Sequence, residues 1–318
     1  MHSSNQKYEM GQEDRFFIPM IPPYIESKVL LNVLQNSKWI GFNLFELRHS
    51  RFYRDIKNKG LKDTFGIDDD TKIFLASIAK DEQLKDFFGH LNWLEEFRSD
   101  IIDFDVDIVM GPDWFSYKED SLAQRRANIE RATSLNMGLL DLENVVPTIR
   151  GTSVQEFRAF IEPFKAQGKT LFVLTGREYL INLGDRKKAQ LEFSSSTSVI
   201  VQSEKIRLLV TGCNSPKLME MLPTVSAFSG LGWLIQSRQR RLIMGKTYLS
   251  IFNPKFFCHD SNCCAAMSKK ELKNPENDSV RAIHNLRRIN ANLGMKSNFS
   301  QICLEGLDGN IPSKKALQ

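Results

Sequence analysis

Three cysteines crowd into seven residues of this 318-residue chain, in Phe257-Cys258-His259-Asp260-Ser261-Asn262-Cys263-Cys264. Downstream, Ala282-Ile283-His284-Asn285 places an imidazole on a helix opened by Asp278. Thiolates and imidazole are the ligands of tetrahedral zinc, and a structural site takes four of them with no open position. Cys258, Cys263, Cys264 and His284 supply four, with His259 as a substitute. A histidine beside the apolar line Val280, Ile283 and Leu286 would by itself be a satisfied core residue; the three thiols upstream favour the metal. The cysteine count is five, and Met1 to Arg15 do not read as a secretory leader, so a disulfide framework is not expected.

Two further clusters could do chemistry. Asp113, in Asp107-Ile108-Val109-Met110-Gly111-Pro112-Asp113-Trp114, follows a buried run and neighbours an indole, which suits it to hold a flat heterocycle. The plainer alternative is a turn aspartate after Gly-Pro. Arg238, Arg240 and Arg241, with Lys246 beyond, make the densest basic segment and could clamp phosphates, although a charge run is usually a solvated face. The net charge of +5 is compatible with nucleic acid without requiring it.

The elements that must position these groups alternate. Runs rich in β-branched residues occur at Lys28–Val33, Ile40–Phe45, Ile73–Ser77, Asp107–Met110, Val145–Ile149, Leu171–Thr175, Ile206–Thr211 and Val225–Phe228. Between them lie segments with helix grammar. Ser153 and Glu156 form a capping-box pattern, Phe157, Phe160, Ile161 and Phe164 make a one-sided stripe, and Gly168 ends it. Ser194–Ser198 reads as a loop or a small insertion. Hydrophobic strands alternating with helices predict an α/β fold with a parallel sheet, and this many strands predict a (β/α)8 (TIM) barrel with a C-terminal zinc-binding subregion. No Gly-x-Gly-x-x-Gly follows the first strand, which counts against a dinucleotide fold. The expected division is a tail over 1–20, a barrel over 21–306 that includes the 258–284 cluster, and a tail over 307–318. No apolar run reaches the roughly 18 residues of a membrane span, so a cytoplasmic protein is expected.

In such a barrel the site lies at the carboxyl ends of the strands. Those ends supply Ala76, Ser77, Asp113, Arg150, Gly151, Gly176, Glu178, Gly212 and Ser226.

These residues resemble a known family. The stretch from Ile206 through Gly212, Pro216, Val225-Ser226-Ala227-Phe228-Ser229 and on to Arg238 resembles the tRNA-guanine transglycosylase superfamily, in which a strand, a glycine turn and a Pro-headed helix lead to Val-Asp-x-Phe-Asp and a basic arm. Asp107–Asp113 is similar to that family's Asp-Ile-x-Met-x-x-Asp, and Val146-Pro147-Thr148-Ile149-Arg150-Gly151 to its strand ending in Gln-Gly. The cysteines with Ile283-His284-Asn285-Leu286 resemble its zinc site. The matches run in family order over about residues 70 to 290. The short length and the Val-Pro-Thr-Ile-Arg-Gly form point toward the relatives that insert 7-deazaguanine into DNA.

The resemblance implies a zinc ion, Asp113 as the base-reading carboxylate, guanine or a 7-deazaguanine as the exchanged base, DNA or tRNA as the polymer, and pairing with a like or related barrel. It also implies that the covalent nucleophile is the first aspartate of Val-Asp-x-Phe-Asp, which is Ser226 here; the second is Ser229, Ala76-Ser77-Ile78 stands for Asp-Ser-Gly, and Arg150 stands for the glutamine. Base exchange needs a nucleophile that is ionised near neutrality and leaves readily, which a carboxylate is and a serine ether is not. Three readings follow: a glycosyltransferase using a relocated carboxylate (Asp113, Glu178 or Asp185), a non-catalytic nucleic-acid-binding or accessory barrel, or a barrel whose likeness is only at the level of fold and which runs other chemistry.

Overall fold

The computed structural model describes residues 15–35, 37–117, 119–151, 153–175, 186–253 and 269–294. The chain begins with β1 (Phe16–Pro19), α1 (Ser27–Leu34), β2 (Trp39–Asn43), α2 (Leu44–Arg48), α3 (Tyr53–Phe65), β3 (Lys72–Ala76), α4 (Asp81–Gly89) and α5 (Trp93–Phe104). It continues through β4 (Ile108–Met110), α6 (Leu122–Met137), β5 (Val145–Val146), β6 (Thr148–Ile149), α7 (Val154–Ala166), β7 (Leu171–Thr175) and α8 (Arg186–Glu204). The last elements are β8 (Arg207–Thr211), α9 (Pro216–Glu220), β9 (Ala227–Gly230), α10 (Gly232–Arg238), the hairpin β10 (Arg241–Met244) and β11 (Thr247–Ser250), α11 (Lys269–Lys273) and α12 (Asp278–Asn292).

The protein is α/β with parallel sheets. One sheet runs β2-β3-β4-β5 and the other β1-β9-β8-β7-β6, and every ladder in both is parallel. Two junctions connect the sheets. Between β5 and β6 stands Pro147, which has no N–H to give a ladder; its carbonyl still accepts the Val173 N–H at 2.9 Å. On the other side Met20 bridges Gly41 in parallel, and the Ile21 N–H reaches the Gly41 carbonyl at 2.7 Å. Gly41 has to lack a side chain, because a Cβ there would stand 2.4 Å from the Met20 sulfur.

Successive residues of a strand point to opposite faces. Phe17, Ile40, Phe42, Ile73, Leu75, Val109, Phe172, Leu208 and Phe228 join the apolar faces of the helices in one core. Ile18, Phe74, Ala76, Ile108, Met110, Val146, Val173, Leu209 and Ala227 form a separate cluster on the other face. Both faces are buried, so the strands read as continuous apolar runs.

Four sequence expectations change. Lys28–Val33 is helix, not strand, because Val29, Leu30 and Val33 bury one helical face. Phe16–Pro19, inside the expected tail, is a strand paired with β9. Ser194–Ser198 lies within α8 rather than in a loop. In α7, Ser153 caps the Glu156 N–H as expected, while the Glu156 carboxylate is drawn to Arg125 at 2.9 Å. Among the described residues no helix is long and apolar enough to cross a membrane.

A buried carboxylate ties three of the helices together. Asp100 on α5 is 1% exposed. It accepts the Tyr53 hydroxyl at 2.8 Å and faces Lys57 and Arg48 at 3.3 Å each. Burial, and then the bond to Asp100, pushes the Tyr53 phenol up to about 12. Asp100→Ala should cost about 2 kcal/mol, since it leaves the Tyr53 hydroxyl without its acceptor beside a void, while Arg48 and Lys57 keep Glu96 and Asp103. Urea unfolding measures it, and a loss below about 1 kcal/mol would remove Asp100 as a structural anchor.

Candidate active site

Gly111 sits at the carboxyl end of β4, and a Cβ there would lie 2.1 Å from the Asn136 side-chain oxygen, so the position admits glycine alone. The closeness lets Asn136, on α6, bind two strand-end groups. Its amide donates to the Pro112 carbonyl at 3.0 Å and its oxygen accepts the Thr148 N–H at 3.1 Å, while a second donation, at 2.8 Å, returns to Ala132. The Gly111 carbonyl in turn accepts the hydroxyls of Ser77 at 2.7 Å and Thr148 at 2.8 Å. The ends of β3, β4 and β6 are thereby locked, and Asp113 leaves this knot in one direction.

That direction leads to Arg150. Asp113 and Arg150 are 3% and 2% exposed, and their carboxylate and guanidinium form an ion pair. Arg150 also donates to the Thr175 hydroxyl. Gly151, with φ +144°, lets the chain turn into α7 where a Cβ would strike Glu156 at 2.8 Å. Arg150 follows β6 on the face of Thr148. On the next strands, in register and two residues beyond Val173, Leu209 and Ala227, come Thr175, Thr211 and Ser229. The four side chains therefore form one polar row above the inner apolar cluster. The Thr211 and Ser229 hydroxyls, each on a residue 1% exposed, have no hydrogen-bond partner among the described residues.

The segment after Asp113 covers this end of the sheets. Trp114 and Phe115 stack at 5.0 Å and Phe115 and Tyr117 at 6.1 Å. The Tyr117 hydroxyl donates to the Asp81 carboxylate, at 2.8 and 2.7 Å from its two oxygens. Beside it, at the ends of β2 and β3, a cleft of about 430 Å³ is lined by Asn43, Glu46, His49, Lys80 and Gln83 over Phe45 and Ile78. Burial pushes the Glu46 carboxyl above its usual range.

The expected site residues divide sharply. Asp113, Ser77, Arg150 and Gly151 come together, with Ala76 in the apolar layer below them. Ser226 does not join them. It precedes β9, its N–H donates to Leu208 near the start of β8, and its carbonyl accepts the N–H of Phe16 at the start of β1. It therefore lies at the amino edge of the sheet, three residues or about 10 Å from Ser229. The residue of Val-Ser-Ala-Phe-Ser that shares a sheet face with Arg150 is Ser229. Gly176, Glu178 and Asp185 lie outside the described residues, as do Cys258, His259, Cys263 and Cys264. Among the described residues no group of three or more metal-binding side chains occurs.

His284 is fully buried on α12, and its Nε2 is hydrogen-bonded to the Ile243 carbonyl at 3.1 Å. Asn285 accepts the Ile243 N–H at 2.8 Å and donates to Trp233 and Arg241 carbonyls, so the pair holds the hairpin against α10. The basic segment splits. Lys246 is neutralised by Glu220, Arg241 reaches Gln236 at 3.5 Å, and Arg238 and Arg240 lie over the rings of Tyr24 and Phe252.

No protein-family model matches the chain, and no curated protein matches it.

Sequence reading missed Thr175 and Thr211, and Glu46 with them. The two-residue alternation at strand ends would have found the threonines, since each falls on the face of an inner apolar residue two positions earlier. Arg150→Leu and Asp113→Leu should each cost about 3 kcal/mol or more by leaving a buried charge without this counter-ion, while the double variant loses much less than their sum. Equilibrium unfolding of the four proteins reads the coupling; additive losses would mean the two charges do not support each other.

Proposed function

We propose that the two sheets close into a (β/α)8 barrel of the tRNA-guanine transglycosylase type, and that this barrel binds nucleic acid without exchanging its bases. Closure is supported by the Pro147 junction and the Met20–Gly41 bridge, which leave eight strands in sequential order once β5 and β6 count as one. An accessory barrel paired with a like or related one fits this reading.

One observation carries it: the carboxylate expected to read the base is spent on an internal cation. Asp113 is bound by Arg150 and 3% exposed. A guanidinium offers a carboxylate coplanar N–H donors. Guanine presents the same pattern through its ring N–H and 2-amino group, so the pocket is filled by a side chain that imitates the ligand. Across from it stand hydroxyls. Ser229 would need a base to ionise it, and its hydroxyl has no hydrogen-bond partner among the described residues. Asp113 is held by Arg150, and serines stand at both positions where the family carries its attacking and neighbouring aspartates, Ser226 and Ser229.

The polymer expected at the basic segment is DNA or tRNA. Incubation with guanine-containing DNA and tRNA plus labelled guanine or 7-deazaguanine should leave no label in the polymer, while filter retention shows the polymer bound. Incorporation with turnover would overturn the non-exchanging reading, and absence of retention would overturn the binding.

The zinc ion belongs to the same proposal. His284 would join Cys258, Cys263 and Cys264 as the four ligands. The ion would cross-link the hairpin region to α12. Protein purified without chelator should carry about one zinc per chain by elemental analysis, and metal-free folded protein would refute the assignment.

A further inference from the structure

We propose that the face carrying Tyr24, Arg238, Arg240, Phe252 and Lys273 is a stacking surface for single-stranded nucleic acid, with bases on the two rings and phosphates on the cations. The inference deepens the nucleic-acid reading above and rests on it.

Several aromatic rings of the protein lie beneath cations. Phe228 under Arg15 and Phe87 under Arg48 are buried, while Phe52, Trp114 and Phe115 are partly covered by their surroundings. Those contacts pack the fold. Tyr24 and Phe252 differ, at 67% and 54% exposed. Arg238 lies 5.9 Å from the Tyr24 ring centre, and Arg240 and Lys273 lie 5.8 and 5.3 Å from that of Phe252. Both rings lie largely in solvent with positive charge beside them.

The charges on this face are uncommitted. Lys246 is paired with Glu220, whereas Arg238, Arg240 and Lys273 meet no carboxylate among the described residues. Arg240 follows the C-cap of α10 in the left-handed turn that ends many helices, and its guanidinium lies over Phe252.

The occupant follows from the chemistry. Arginine and lysine bind phosphates, and an exposed ring binds a base only when that base is free of its duplex neighbours. Rings and cations interleaved on one face match a single strand, whose bases and phosphates alternate. A duplex would use the cations and leave the rings idle.

The test compares four labelled ligands of about 16 nucleotides by fluorescence anisotropy on the full chain: a mixed-sequence single strand, its duplex, an abasic strand of equal charge, and polyglutamate as an anionic control. The base-bearing strand should bind at least about tenfold tighter than the abasic strand and the duplex. Tyr24→Ala and Phe252→Ala should each weaken that binding about fivefold or more, with Tyr24→Phe and Phe252→Trp retaining it. Arg238→Ala with Arg240→Ala should flatten the salt dependence by a slope of about 1.4. Equal binding of abasic and base-bearing strands, or indifference to the ring substitutions, overturns the stacking surface while leaving nucleic-acid binding in place. Binding of no nucleic acid, or of polyglutamate equally well, overturns both.

Discussion

A buried carboxylate is costly without a cation beside it, and the carboxyl ends of the strands are organised around the one at Asp113. Asp113 stands on the four-stranded sheet and Arg150 on the five-stranded one, so their ion pair joins the sheets where Pro147 interrupts the ladder. The surrounding hydrogen bonds serve the pair. Asn136 fits against Gly111 because that residue has no side chain, and Ser77 and Thr148 converge on the Gly111 carbonyl. Thr175 takes a further guanidinium proton. Such a pair adds little net stability over apolar residues of equal volume, yet loss of one partner is costly. Its presence therefore specifies an arrangement, with the pocket turned inward on itself.

The carboxyl-terminal region uses the same device in another form. Arg281 on α12 is fully buried and donates to the carbonyls of Ser237, Leu272 and Asn274, with Asp278 as its charge partner. One guanidinium thus gathers the end of α10 and the segment before α12. His284 and Asn285, one turn on, bind the hairpin through Ile243. The hairpin, α10 and α12 form one unit, and Arg238, Arg240 and Phe252 are presented from its outer face. Cys213, by contrast, is a buried thiol pushed up to about 12 by desolvation, which keeps it inert beside Thr211.

Much of this was legible along the chain. The apolar runs at Ile73–Ser77, Leu171–Thr175 and Ile206–Thr211 became strands because residues buried on both faces leave an unbroken hydrophobic signal. The stripe of Phe157, Phe160, Ile161 and Phe164 packed as one helical face. Lys28–Val33 misled because β-branched residues tolerate a helix once tertiary packing rewards that face. Phe16–Pro19 was missed because four residues carry no period, and β9 supplies what holds them in line.

Residue identity alone determined that an α/β chain would form, that Asp113 would follow a buried strand, and that no carboxylate would occupy Val225–Ser229. These properties belong to local pattern and to side-chain chemistry. The tertiary structure decided which of the two serines joins the polar row with Arg150. A strand reverses its facing with every residue, and its ends lie about 3.3 Å per residue apart, so Ser226 and Ser229 fall at opposite edges of one sheet. It also decided that Arg150 would close on Asp113, a contact between residues 37 positions apart in sequence that no spacing rule relates.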